Sequence, residues 1–344
     1  TNGVTYNDGT LQSSAPVGRN RIINGDIRIH QRGGTITMST ANYNLDRFLS
    51  YTSTDGVQTA EQSTEAPVGF KNSLKVTTTT ADASLTATQR TCIIHRVEGN
   101  NISDLDWGTS DAKTVTLSFW VRSSITGTHG GSVGNGSDNR AYPFTYAISS
   151  ADTWEKKTVT IAGDTAGTWA TGNGRSLQIA WGLGVGTTYS GTAGAWESAD
   201  RNSATGATTG VIGTLNATWY LTGVQLETGT TATDFEQLQY GQQFALCQRY
   251  YQTQSIAVNA LSTSGVAGFS FNTIMRAAPT ITWSSGGVAN RQYRIDNGAV
   301  YDVTSVSMFS FVGGLNYFYS FSPSGWAGGA GLGFTSNYVM SAEL

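Results

Sequence analysis

One stretch of this chain, Asp234–Tyr251 (DFEQLQYGQQFALCQRYY), carries the period of an α-helix, whereas the sequence on either side alternates with period two or turns. Tyr240, Phe244, Cys247 and Tyr251 recur at i, i+4, i+7 and i+11, which places all four on one helical stripe. Phe235, Leu238 and Leu246 widen it. Asp234 suits an N-cap, its carboxylate accepting from first-turn N–H groups, and Glu236 adds favourable charge there. Gly241 costs about 1 kcal/mol relative to Ala inside a helix. A helix this short is marginal alone, so its stripe has to be covered. The cover is either flanking β structure or copies of the helix around a symmetry axis. The expectation is a short amphipathic neck at 234–251, shared by three copies.

From residue 19 to 233 the pattern is all-β. Segments such as RIINGDIRIH, DRFLSYTS, SLKVTTTT, TCIIHRVE, TVTLSFWVRSS, YPFTYAIS, EKKTVTIA, SLQIAWGLGV and TWYLTGVQLE are short, β-branched or aromatic, and punctuated by Gly, Asn, Asp and Ser. In TVTLSFWVRSS, Val115, Leu117, Phe119 and Val121 point one way, while Trp120 joins Thr116 and Ser118 on the other face. About nine such strands predict a two-sheet sandwich. No period of 20–30 residues recurs, which argues against a parallel β-helix. After the helix, 252–344 returns to short, Gly-rich strands and reads as a small β domain with a thin core. Residues 1–18 read as an extended arm with a hairpin-like turn at Asn7–Gly9, and Val4, Tyr6 and Leu11 alternate enough to add a strand to a partner sheet.

Composition narrows the partners. Charged residues make up 12% of the 344, about half the usual ~25%, and 42 are Gly. A net charge of −3 with no Lys/Arg cluster gives no footprint for nucleic acid. No apolar run approaches the ~20 residues that span a bilayer, so no membrane insertion is expected, and no cleavable leader opens the sequence. The two cysteines, Cys92 and Cys247, read as buried thiols.

No metal-ligand spacing and no G-x-S-x-G elbow is present, and the three histidines stand far apart. His95, in TCIIHRV, reads as a satisfied, part-buried side chain. Asp104 with Asp106, and Glu197 with Asp200, are acid pairs in turns; such pairs usually cap or solvate corners, and no catalytic residue is assigned. Sugars need an aromatic face and a polar rim. Trp169 (AGTWATGNGR) and Trp196 (TAGAWESADRN) sit in Gly/Ala/Thr-rich loops, with Tyr189 in the same long segment 186–210. Each ring either faces a ligand or folds back to plug the sandwich edge. In the last domain Trp326, between Gly325 and Ala327, is the candidate contact, with Arg276, Arg291, Arg294 and Asp296 as polar rim.

These motifs carry a resemblance. The series SLKVTTTT, TVTLSFWVRSS, TWEKKTVTI and WYLTGVQLE resembles a jelly-roll domain of the carbohydrate-binding-module type. In order, RNRIINGDIRIHQRG, YNLDRF, LTGVQLETGTTATDFE and YGQQFALCQRYYQ resemble a family of bacteriophage and prophage virion proteins, the tail fibre or receptor-binding proteins. TYNDGTLQSSA resembles their tail-proximal start and FNTIMRAAPTITW their C-terminal module. The resemblance implies an all-β chain: a docking arm (1–18), a jelly-roll β-sandwich (19–233), a helical neck (234–251) and a β tip (252–344). It implies a homotrimeric, non-enzymatic virion appendage that attaches to phage tail or capsid proteins and binds a host surface glycan or protein. A head- or baseplate-attached decoration protein and a glycan-degrading enzyme are the alternatives. A Gly-x-Trp loop recurs in that family, which favours a structural role for Trp196. Jelly rolls of this type often hold a structural calcium ion near their first and last strands, where Asp26 and Glu227 stand; no other cofactor is implied.

Overall fold

The structure, a computed structural model, describes the side chains of residues 18–253, 273–277 and 340–344, and backbone pairing alone for the named strands elsewhere. The chain divides into two compact units, residues 1–240 with Leu344, and residues 241–343. In the arm, β1 (Val4–Thr5) pairs antiparallel with β2 (Leu11–Gln12), Val4 opposite Gln12. Tyr6 and the turn at Asn7–Gly9 lie outside the described residues.

The first unit is a jelly-roll β-sandwich of two antiparallel six-stranded sheets. Its strands are β3 (Ile36–Thr37), β4 (Asn42–Leu45), β5 (Phe48–Thr52), β6 (Val57–Ser63), β7 (Ser73–Thr80) and β8 (Arg90–Glu98). Next come β9 (Val115–Ser123), β10 (Gly127–Asn135), β11 (Ala141–Ile148), β12 (Glu155–Ile161) and β13 (Arg175–Val185). The short β14 (Ser190–Gly191) and β15 (Ser203–Ala204), a single-turn α1 (Gly210–Gly213) and β16 (Thr218–Thr228) complete it. One sheet has the order β11-β10-β13-β8-β5-β4 and the other β12-β9-β16-β7-β6-β3.

Period-two alternation sends one set of side chains from each sheet between them. Val115, Leu117, Phe119 and Val121 all face inward and are fully buried, as their alternation predicts, and Trp120 is only half-buried. Trp181 and Trp219 fill the middle of the core, with Phe119 edge-on to Trp181 at 5.8 Å. Each fully buried large apolar side chain contributes roughly 1.5–3 kcal/mol.

Two expectations are corrected. RIINGDIRIH is no strand: Asn24 and Ile27 have φ of 61° and 57°. The Asn24 side chain replaces a ladder, accepting from Ile29 N–H at 2.9 Å and donating to the Asp46 carbonyl at 3.0 Å. Beside these, GTHGGSVGN, which is not among the segments picked out by alternation, is β10. A Cβ at Gly130 would stand 2.2 Å from Ser203 Oγ, so only glycine lets the covering loop approach. Finally the helix, α2, spans Tyr240–Gln248 rather than 234–251, so Asp234 is not its N-cap, and Tyr251 begins a strand. Residues 234–239 are held extended on the first unit by stronger local offers. Phe235 packs edge-on to Phe70 at 5.1 Å. Glu236 accepts from the backbone N–H groups of Gly18 and Asn20, the latter at 2.9 Å, and its own N–H donates to Gln225 at 2.8 Å.

On α2, Cys247 is buried while Tyr240, the last residue of the first unit, and Leu246 are exposed. After α2 come β17 (Tyr251–Ala260), β18 (Gly265–Ser270), β19 (Thr280–Trp283), β20 (Arg291–Arg294), β21 (Val300–Ser310), β22 (Asn316–Pro323) and β23 (Leu332–Ser341). They form one seven-stranded sheet ordered β17-β23-β20-β21-β22-β18, with β19 also on β23. Among the described residues no helix is long and apolar enough to cross a membrane.

Candidate functional site

The outer face of the first sheet carries a second apolar cluster, separate from the core. Leu49, Cys92, Ile94 and Ala180 form it, with Tyr43 and Tyr51 packed against it. Register explains the grouping: Ile94 on β8 stands opposite Leu49 on β5 and Ala180 on β13, and Cys92 stands opposite Tyr51 and Gly182. The same alternation puts Arg90 and Arg96 at either end of this row on β8, six residues or about 20 Å apart. The result is a row with cationic ends and a buried apolar middle.

The long segment 186–210 walls one side. It is tied down where β14 and β15 pair in parallel, and where Ser132 Oγ on β10 donates to the Arg201 carbonyl at 2.5 Å. Its residues Tyr189, Asp200 and Asn202 then converge on Arg90. The guanidinium carbon of Arg90 lies 4.2 Å from the ring centre of Tyr51 and 3.7 Å from that of Tyr189. Arg90 also donates to Asp200 at 2.7 Å and to the buried Asn202. At the opposite end Arg175 donates to Asp138 at 2.6 Å, and Gln178 donates to the same carboxylate at 2.8 Å. Arg96 stands opposite Gln178 in register and donates to the backbone carbonyl of Leu344. The enclosed part of the cleft measures about 50 Å³, far below the 300 Å³ or more of a pocket that engulfs its ligand. The cleft is thus a shallow feature of the sheet face rather than an engulfing pocket.

No family model matches this sequence, and no curated protein does. Among solved structures the chain is similar to the enzymatically active domain of tailspike protein 4 of bacteriophage CBA120, at 10% identity and TM-score 0.32, covering 61% of this chain and 22% of that one. It is also similar to the family 11 carbohydrate-binding module of a Clostridium thermocellum cellulosomal cellulase, at 9% identity and TM-score 0.30, covering 58% and 97%. A third is the N-terminal cellulose-binding domain of β-1,4-glucanase C from Cellulomonas fimi, at 15% identity and TM-score 0.26, covering 64% and 100%.

The tryptophans expected from the loops lie elsewhere. Trp107, Trp169 and Trp196 stack edge-on at the end of the sandwich, with ring centres 4.7, 5.4 and 5.7 Å apart. Trp169 is buried, its indole N–H donating to Asp164 at 3.2 Å, so it presents no face to a ligand. Trp196 is half-buried, its N–H donating to the Ala162 carbonyl at 2.8 Å. Neither is brought together with Tyr189, the one predicted aromatic in the cleft. Trp326 and Asp296 lie outside the described residues, and Arg291 and Arg294 are described only as backbone of β20.

The acid pairs are likewise accounted for. Asp104 is paired with Arg21 at 2.6 Å, Asp106 with Lys113 at 2.9 Å, Glu197 with Arg201 at 2.8 Å and Asp200 with Arg90 at 2.7 Å. Arg201 holds the Glu197 carboxyl below its usual range, the reverse of what a general acid needs. His95 is fully buried; burial, with Arg47 beside it, lowers its pKa to about 3 and keeps the imidazole neutral.

Asp26 and Glu227 do not fit a calcium ion. Asp26 is buried and ion-paired with Arg28, and burial raises its pKa, which weakens it as a ligand. Glu227 accepts from Thr233 N–H at 2.8 Å and from Gln225 at 2.9 Å, with Arg19 3.6 Å away. Asp26 thus faces a cation and Glu227 is ringed by donors, not by further oxygens that a calcium ion would need. Among the described residues no three His, Cys, Asp or Glu side chains converge as a metal site.

Arg90, Asp200 and Asn202 escape a sequence reading because 110 or more residues separate the arginine from its partners. The available signal is the alternation Arg-x-Cys-x-Ile-x-Arg over residues 90–96, apolar in the middle and charged at both ends.

Proposed function

We propose that this chain is a non-catalytic glycan-binding protein of a bacteriophage particle, a homotrimeric tail fibre whose arm docks to tail or capsid proteins. Its jelly roll holds a host surface glycan along the outer face of the first sheet. One observation carries the glycan reading: a cleft on that face lined by Tyr51, Ile94, Gln178 and Asn202 between the two cationic ends, with the Tyr189 ring stacked on Arg90. Sugar rings offer apolar C–H faces edged with hydroxyls, and this cleft offers the complement. The four turn carboxylates are all ion-paired, which supports binding over cleavage. Two further features support the particle reading: the motif order from RNRIINGDIRIHQRG to YGQQFALCQRYYQ, and the exposure of Tyr240 (58%) and Leu246 (37%) on α2, which invites copies to associate.

A microbial glycan array probed with the full chain tests the first part, with Tyr51→Ala/Asn202→Ala as control. Binding that the double substitution removes supports it; no glycan bound, or binding untouched by the substitution, overturns it. Sedimentation tests the second: a trimer of the 36.4 kDa chain supports the fibre, and a stable monomer at micromolar concentration overturns it.

A further inference from the structure

A recess of about 410 Å³ opens where the chain leaves β16, and it shares no lining residue with the sheet-face cleft. Arg19, Arg21 and Glu227 line it together with Thr228, Thr230, Thr231 and Thr233. Backbone fixes its place. Gly229, at φ 112°, turns the chain out of the strand, and its N–H donates to the Thr114 carbonyl at 2.8 Å. The Arg21 N–H donates to the Leu226 carbonyl at 3.0 Å, which ties the arginines to the same strand.

Both guanidinium groups have counter-charges, but loose ones. Arg19 Nε stands 3.6 Å from Glu227, beyond hydrogen-bond reach. That carboxylate already accepts from Thr233 N–H at 2.8 Å, Thr233 Oγ1 at 2.7 Å and Gln225 at 2.9 Å. Arg21 is paired with Asp104 at 2.6 Å, but the Asp104 side chain is 54% exposed, where an ion pair contributes little. Arg19 also donates to the Asp234 carbonyl, and Arg21 to the Asn101 carbonyl at 3.1 Å. A guanidinium carries five N–H donors, so most of both sets have no partner among the described residues.

No aromatic ring lines the recess, so it does not suit the stacking of a bare sugar ring. Two guanidinium groups beside one committed carboxylate suit an oxyanion instead. Phosphate matches the arrangement better than carboxylate: its three terminal oxygens reach two arginines and a hydroxyl at once, where a carboxylate offers two oxygens in one plane. The volume exceeds what a lone phosphate fills and falls among small-molecule pockets. Threonine hydroxyls both donate and accept, which suits hydroxyls on the rest of the ligand. We propose that this recess is a second binding site, independent of the sheet-face cleft, for a phosphate ester of a sugar or small polyol. Arg19 and Arg21 hold the phosphate and the threonines hold the hydroxyls.

The test is titration calorimetry of the full chain with glycerol 3-phosphate and glucose 6-phosphate, against inorganic phosphate, glucose and glucuronate. The expected result is binding of a phosphate ester at least about tenfold tighter than any of the other three, weakening as sodium chloride rises. Arg21→Gln weakens it by about tenfold or more. Because Arg21 also holds the Asn101 carbonyl, a second variant is needed. Thr231 is exposed, and Thr231→Val should weaken the ester about three- to tenfold at an unchanged melting temperature. No ester binding, or binding that either substitution leaves unweakened, overturns the site. Inorganic phosphate bound as tightly as the esters overturns the part given to the threonines, and preference for glucuronate overturns the phosphate assignment. Tyr51→Ala/Asn202→Ala should leave ester binding unchanged; its loss there would move the ligand to the sheet-face cleft, overturning this site and leaving the glycan reading standing.

Discussion

The jelly roll holds two aromatic assemblies, each built around an arginine and an aspartate, and they do opposite things. At the end of the sandwich Trp107, Trp169 and Trp196 pack edge to face, with Asp164 buried beneath them and paired with Arg140. On the sheet face Tyr51 and Tyr189 do not pack on each other but flank the Arg90 guanidinium. In the first, every ring spends its faces and edges on another ring, and the assembly closes. In the second, each ring gives one face to a cation, and both stay only half-buried. The number of tryptophans in a loop therefore says little about ligand contact; what their rings already touch decides it.

Trp169→Ala is the largest blow to that contrast, expected to cost about 3–5 kcal/mol in urea unfolding because it empties a buried indole site. The protein that remains folded should bind glycan as before. Lost binding at unchanged stability would mean that the closed assembly is the true contact.

Acid comes next, since it strikes the strand beneath the cleft. His95 points inward from β8, and its folded pKa of about 3 lies well below the ordinary 6.5. The unfolded chain therefore binds the extra proton first, and stability falls as pH drops from about 6.5 towards 3. At pH 4 the loss attributable to His95 is on the order of 3 kcal/mol. Asp26, whose pKa burial raises, works in the opposite direction as pH falls towards its unfolded value. Comparing urea midpoints of the native chain and His95→Asn at pH 7 and pH 4 isolates the histidine; parallel curves would contradict its burial.

Arg90→Met should release the 186–210 wall, weakening glycan binding about 10–100-fold while costing about 1–2 kcal/mol of stability. A drop in stability without a drop in affinity would show that Arg90 serves the loop alone. Smallest of all, chelation by EDTA should leave the melting temperature within about 1 °C, because Arg28 and Arg19 already neutralise the carboxylates a calcium ion would use.

Much of this architecture can be read along the strands. The alternation in TVTLSFWVRSS assigns the inward face of β9 residue by residue, because a half-buried sheet imposes period two. Glycine strands defeat the same logic, since in β10 the informative contact belongs to the loop that lands on Gly130. The helix is shorter than its apolar stripe because Phe235 and Glu236 are satisfied on the sandwich instead. The cleft is mostly invisible along the chain. Its arginine and its acid, 110 residues apart, meet only once sheet register and loop placement are both fixed. Tyr189 was nonetheless findable, as the aromatic residue of a long loop.

The Glu236 carboxylate, by gripping the amides of Gly18 and Asn20, ties together the two points at which the chain reaches and quits the sandwich. Tension applied to the chain on both sides would then meet a short electrostatic buckle before it reached any strand. The sheets, and the face they present, would feel the pull only after that buckle had opened.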